Sequence, residues 1–267
     1  MKTKLGIVGC GFLGNIVADA WKKGLLPDYE LVGVTSRTRA SAEKTAANVG
    51  CAVCEDVDAL LALEPEYIVE AASVESVRAM AIPVLKRGVN LVILSIGAFA
   101  DLDFYAQVKA AAVEGGAKVH LASGAIGGFD VLRTAALMGV EEATFESTKS
   151  PKSLSGAPGL MGVELPADRE TLAFEGGVEE AVRGFPKNIN VAAATASAAD
   201  APNVRVRLVA RPGLTVNTHH IDVKAGEMHC ELFFHSAYDP KNPRSSTSTA
   251  WSVLALLKNL ESPISYF

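Results

Sequence analysis

The tightest constraint on this 267-residue chain is how it opens. Leu5 to Val8 is a short apolar run. Gly9-Cys10-Gly11-Phe12-Leu13-Gly14 follows at once, and helical spacing then puts Leu13, Ile16, Val17, Ala20 and Trp21 on one side. A buried strand, a G-x-G-x-x-G turn and a helix, in that order, make the first βα unit of a dinucleotide-binding fold. The three glycines serve a tight turn, backbone approach to a pyrophosphate, and close packing of helix on strand. The helix start behind them offers unpaired N–H groups and the positive end of its dipole to an anion. Gly9, Gly11, Phe12, Leu13 and Gly14 are therefore expected at a cofactor.

The alternation continues. Apolar runs at 30–35, 52–54, 67–72, 90–95 and 118–122 read as strands, with helices between them at 40–49, 57–63, 74–87 and 104–114. Short connections and strict alternation imply a parallel sheet with helices on both faces. Past Ser123-Gly-Ala-Ile-Gly-Gly128 the texture changes. A helix at 129–138 precedes longer alternating strands at 143–149, 204–210, 214–223 and 227–235. Residues 150–167, rich in Pro, Gly and Ser, read as one long loop. Residues 247–260 read as an apolar helix. The expected fold class is α/β: a Rossmann-type doubly wound parallel sheet over 1–123, and a second α/β (α+β) domain with an open mixed sheet over 124–246. The C-terminal segment 247–267 is expected to pack back on the first domain. An open sheet and an apolar tail are expected to leave large apolar faces, and such faces commonly pair across a two-fold axis, so a homodimer is expected.

Composition narrows the function classes. The formal net charge is −5 and no dense Lys/Arg block exists, which excludes a phosphate-neutralising nucleic-acid binder. The apolar stretch at 5–13 is broken by three glycines and has no A-x-A-like cleavage site after it, and no apolar run reaches membrane length. A soluble cytosolic protein without a membrane partner is the expectation. The four cysteines, Cys10, Cys51, Cys54 and Cys230, are too scattered for a disulfide framework. Cys51 and Cys54 have C-x-x-C spacing but no second pair, so they read as packing residues and no metal is expected.

The end of the second strand reports on the cofactor. Sites specific for NAD carry an acid there, on the ribose hydroxyls. Val34-Thr-Ser-Arg-Thr-Arg39 has none. Ser36 and Arg37 suit a 2′-phosphate, so NADP is expected to be accepted and preferred over NAD.

Several segments together, in order along the chain, resemble the L-aspartate dehydrogenase family. They are Glu70-Ala-Ala-Ser73, Ser95-Ile-Gly-Ala98, Ser123-Gly-Ala-Ile-Gly-Gly128, Phe185-Pro-Lys-Asn-Ile-Asn-Val-Ala192, Asn217-Thr-His-His-Ile221 and Asn242-Pro-Arg-Ser-Ser246. The resemblance implies oxidation of L-aspartate with NAD or NADP to iminoaspartate, which hydrolyses to oxaloacetate and ammonia or feeds NAD biosynthesis. It implies cofactor contacts at Ala71, Ala72, Ser95, Gly97, Gly124, Ala125 and Asn188 or Asn190, and a catalytic histidine at His219. A histidine suits the proton traffic of amine oxidation. On a strand Asn217 and His219 point together and His220 points away, which makes His220 the rival assignment. His120, His229 and His235 read as packing or surface residues.

A dicarboxylic amino acid needs cationic clamps. The family's T-R-K-P-like segment corresponds to Thr148-Lys-Ser-Pro151, with Lys149 where arginine is usual and Ser150 where lysine is usual. Lys149, Asn217 and Arg244 are the expected substrate contacts. A lone ammonium lacks the guanidinium fork. That departure motivates a second reading, a dehydrogenase or reductase of another small amino acid, imine or oxo acid. The third reading is a non-catalytic dinucleotide-binding sensor.

Overall fold

Strands β1 (Thr3–Val8), β2 (Tyr29–Thr35), β3 (Ala52–Val53), β4 (Tyr67–Glu70), β5 (Asn90–Ile93) and β6 (Val119–Leu121) form one sheet in the order β3-β2-β1-β4-β5-β6, parallel throughout. The computed structural model describes residues 2–186, 190–237 and 246–266. Helices α1 (Phe12–Lys22), α2 (Arg39–Val49), α3 (Val57–Leu61), α4 (Val74–Lys86) and α5 (Leu102–Gly115) connect the strands. Consecutive residues Ile68–Val69 and Leu91–Val92–Ile93 are all fully buried. Both faces of the sheet are therefore covered, as a continuous apolar run demands. The strand order reverses between β1 and β4, and in such sheets the crevice at the carboxyl ends of the strands is where ligands bind.

Local chemistry fixes the ends of these elements. Ser73 caps α4 by accepting from Ser76 N–H at 3.2 Å, and Asp101 caps α5 by accepting from Phe104 N–H at 3.0 Å. β4 stops two residues short of the expected 72. There the Glu70 carboxylate turns back to take the Ala72 N–H, which bends the chain into a loop.

The second unit, residues 125–246, is built from α6 (Phe129–Met138), β7 (Val140–Lys149), α7 (Pro151–Leu154), β8 (Thr171–Gly176), α8 (Val178–Gly184), α9 (Asn190–Ala199), β9 (Arg205–Ala210), β10 (Val216–Ala225) and β11 (Met228–Ala237). Its mixed sheet runs β11-β10-β7-β9-β8, with β7 and β9 parallel and the other pairs antiparallel. α6 and α9 pack on each other, α6 on β10 and α9 on β7. Phe145, Val206, Leu208, Ile221 and Val223 form the buried face.

Three elements between 168 and 203 escape the sequence reading: β8, α8 and α9. α9 is nearly all small residues, and Ala192, Ala193, Ala194, Thr195, Ala198 and Ala199 are buried. A helix apolar on every side has no period to read. The expected loop at 150–167 also contains α7 and a 3-10 turn at Pro158–Leu160.

Among the described residues the expected large apolar sheet face is not found. The uncovered face carries Glu142 with Lys224 at 2.6 Å, Glu146 with Arg207 at 3.6 Å and Glu175 with Arg205 at 3.3 Å. Strict alternation put the apolar residues of these strands under the helices and their charges outside.

α10 (Ser248–Glu261) belongs to the first unit, which comprises residues 1–124 and 247–267. It packs on α1, buries Ala250, Val253, Leu254 and Leu257, and accepts the Tyr29 hydroxyl at the Leu257 carbonyl, 2.9 Å away. Among the described residues no helix is long and apolar enough to cross a membrane.

Candidate active site

In the first unit the carboxyl ends of β1, β2 and β4 open into a cleft of about 610 Å³. Gly9, Gly11, Ser36, Arg37, Ala71 and Ala72 line it, all six expected from the sequence, and Ser41, Ser73, Glu75 and Ser76 join them. Gly9 has φ +105°, and a Cβ there would lie 2.6 Å from the Ala71 carbonyl oxygen. A Cβ on Gly14 would lie 1.8 Å from the Gly9 oxygen. Both positions demand glycine for close packing. A Cβ on Gly11 would meet nothing within 4 Å, so here the backbone fronts open space. Gly11, which lines the cleft, also caps α1 without a side-chain hydrogen bond, so no side chain there takes up the first N–H groups of the helix. A pyrophosphate fits that donor set.

The other expected residues are not among those that line the cleft. Phe12 and Leu13 form the first turn of α1. Ser95 is buried, with its N–H and hydroxyl donating to Glu70 at 2.9 Å each. Gly97 lies in the buried 3-10 turn Ile96–Ala100. Gly124 N–H donates to the Ser252 hydroxyl at 2.9 Å. Ala125 begins the second unit and Asn190 opens α9. Asn188 and Arg244 lie outside the described residues.

Two residues that support the cleft were missed. Asn15 donates to the Cys10 and Gly11 carbonyls at 3.0 and 2.8 Å and accepts from Thr45 at 2.8 Å, which pins the glycine loop. Glu70 is wholly buried and accepts from Ala72 N–H, Ser95 N–H and Ser95 Oγ. Burial raises its pKa and those hydrogen bonds oppose the rise. An acid ending an apolar strand was the available signal, since acids are seldom fully buried unless partnered.

In the second unit four polar side chains share the buried face of the sheet. Ser147 and Lys149 come from β7, Asn217 and His219 from β10, and all are under 9% exposed. Ser147 pairs directly with His219 across the ladder. The Phe145 ring stacks on His219 with centroids 5.8 Å apart. Burial, and then the nearby Lys149 charge, push His219 down to about 3. Burial pushes Lys149 down to about 8. The Ser147 hydroxyl, Asn217 Oδ1 and His219 Nδ1 are buried without a hydrogen-bond partner. Such atoms cost about 1–3 kcal/mol each, so three on one apolar face mark a place built for a ligand. Ser147 was not expected. Its signal was a hydroxyl on the same strand face as Lys149.

His220 lies on the opposite, uncovered face. It stacks on Phe233 at 4.1 Å and reaches Glu231 at 3.2 Å. Near it the ligand atoms of Asp222, His229 and Glu231 lie within 4.8 Å of one another, with His229 bonded to Asp222 at 2.9 Å. All four cysteines are free thiols.

Residues 130–260 match the family model described as "Aspartate dehydrogenase, C-terminal", and residues 9–122 match "Homoserine dehydrogenase, NAD binding domain". An L-aspartate dehydrogenase of Methanocaldococcus jannaschii is 32% identical over 98% of both chains. One of Methanospirillum hungatei is 35% identical over 98% of both. The crystal structure of an aspartate dehydrogenase from Thermotoga maritima superposes with a TM-score of 0.78, at 29% identity over the whole of both chains. An amine dehydrogenase from Mycobacterium smegmatis shares the fold, with a TM-score of 0.60 at 14% identity over 97% of this chain and 92% of its own.

Proposed function

The chain belongs to the L-aspartate dehydrogenase family, and from that premise we propose how its own residues carry out the reaction. It is an oxidoreductase with a nicotinamide dinucleotide cofactor and an amino acid substrate, and its reaction is the NAD(P)-dependent oxidative deamination of L-aspartate. When bound, the nicotinamide ring supplies the two-electron acceptor. The product imine then takes up water and releases ammonia, leaving oxaloacetate.

The observation that carries the residue roles is the polar island on the buried face of the second sheet. A dicarboxylic amino acid brings two carboxylates and one ammonium. The buried Lys149 ammonium meets a carboxylate, and Arg244 serves as the second anion contact. Asn217 Oδ1 and His219 Nδ1, both without partners, accept N–H from the substrate nitrogen. Lys149 is one of the two causes that hold His219 unprotonated. A carboxylate that neutralises Lys149 removes the smaller of those two causes and so favours His219 as acceptor of the proton which the substrate nitrogen must lose.

Around the cofactor, Gly9 and Gly11 hold the pyrophosphate, with Phe12, Leu13 and Gly14 shaping the helix start. Ser36 and Arg37 hold the adenine ribose, where Arg37 favours NADP over NAD. Ala71, Ala72, Ser95, Gly97, Gly124, Ala125, Asn188 and Asn190 complete the proposed contacts. The reading includes a homodimer and a cytosolic setting, the latter in keeping with four free thiols.

The test is reduction of NADP and NAD followed at the nicotinamide absorbance with a panel of amino acids, and the reverse reaction with oxaloacetate and ammonia. L-Aspartate should be turned over, with the lower KM for NADP. His219→Ala should lose about a thousandfold or more in kcat, a general base together with the positioning it provides, while cofactor affinity stays within twofold. Turnover of another amino acid alone, or cofactor binding with no turnover, would overturn the reading. So would an active His219→Ala.

A further inference from the structure

The absence of an acid at the end of β2 leaves the 2′ position of the adenine ribose without the group that NAD-specific sites use. The cleft at the carboxyl end of the sheet has two walls. One is made by Ser36, Arg37, Thr38 and Ser41 from the β2–α2 turn, the other by Ala72, Ser73, Glu75 and Ser76 from the start of α4. Among the described residues that line it, Arg37 is the one cation and Glu75 the one anion.

Both charges are exposed. Of the neighbouring guanidinium groups, Arg39 pairs with Glu43 at 2.9 Å and Arg78 with Asp101 at 3.0 Å, though the Arg78 charge also reaches Glu75. Glu75 sits in the first turn of α4, where the helix dipole favours an ionised carboxylate. Its own backbone N–H and the Ser73 hydroxyl hold it below the usual range, and Arg37 and Arg78 add to the effect.

We infer that Glu75 is a cofactor-specificity residue, opposing Arg37 in the same cleft and so setting the balance between the 2′-phosphorylated and the 2′-hydroxyl dinucleotide. The inference rests on the nicotinamide-dinucleotide reading of the cleft. A 2′-phosphate is attracted by Arg37 and repelled by Glu75. A 2′-hydroxyl is indifferent to Arg37 and can donate to a carboxylate. Arg37 therefore favours NADP, and Glu75 restrains that preference and keeps NAD usable. The acid that β2 lacks is thus provided from across the crevice by α4.

The test is equilibrium binding of NADP+ and NAD+ to the full chain by isothermal titration calorimetry. It compares the unaltered protein with Glu75→Gln and Arg37→Gln at low and high salt. For unit charges interacting through water over a few ångströms, Glu75→Gln should move the ratio of the two dissociation constants toward NADP+ by about three- to tenfold. Arg37→Gln should move it the other way by a similar factor. Both shifts should shrink at about 0.5 M salt, where the Debye length is only a few ångströms. A merely structural role for Glu75 at the helix start would weaken both cofactors together and show no such salt dependence. A ratio that moves less than twofold in Glu75→Gln, with both dinucleotides still bound, overturns the inference. No binding of either dinucleotide by the unaltered protein overturns the cofactor reading itself.

Discussion

Lys149 is a side chain whose chemistry burial changes. Burial at the end of β7 pushes its pKa down to about 8, below the usual lysine value. Its charged form is present below that pH and is lost as pH rises through it. The affinity for a carboxylate substrate should follow. KM for aspartate is expected to climb above pH 8 while kcat changes less. Lys149→Arg, whose guanidinium stays charged throughout, should abolish that inflection. A KM that stays flat from pH 7 to 9.5 in the unaltered protein would remove Lys149 from substrate binding. His219 was legible in the sequence because alternation assigns it a face with Asn217. That Ser147 stands opposite His219 was not, because this depends on the register of β7 against β10, and the two strands are some seventy residues apart.

Among the elements, the paired ends of β4 and β5 show how a loop acquires a fixed shape. Glu70 accepts two backbone N–H groups and one hydroxyl from the segments that follow the two strands. Both carboxylate oxygens face donors, so an amide in the same place would oppose N–H to N–H. Glu70→Gln is expected to cost about 1–3 kcal/mol of stability, the range for a buried donor left without its acceptor. Chemical denaturation would measure it, and weaker binding of both dinucleotides should accompany it. Unchanged stability would show that the carboxylate does not clasp the loops. The strands and helices of the first sheet were readable because each βα unit is local and strongly patterned. α9 and β8 were not. The alanines of α9 carry no periodic signal, and β8 is held by pairing with β9 some thirty residues further on.

For the whole molecule, the uncovered face of the second sheet is a mosaic of both signs of charge around the exposed Phe233 and not an apolar surface. A surface carrying both signs can complement itself about a two-fold axis. Light scattering at micromolar concentration should return twice the mass of one chain, and a single-chain mass would end the homodimer proposal. The sequence by itself determined the class of the first unit, its glycine loop and the helix behind it. Those depend on contiguous residues and on periods of two and 3.6. It also determined that His219 shares a face with Asn217. Only the tertiary structure decided what stands opposite these groups: Ser147 beside His219, Glu70 under two loops, Glu75 in the cleft with Arg37. Each of those meetings joins residues between about 25 and 70 positions apart, and strand order and register, which the local pattern does not encode, bring them together.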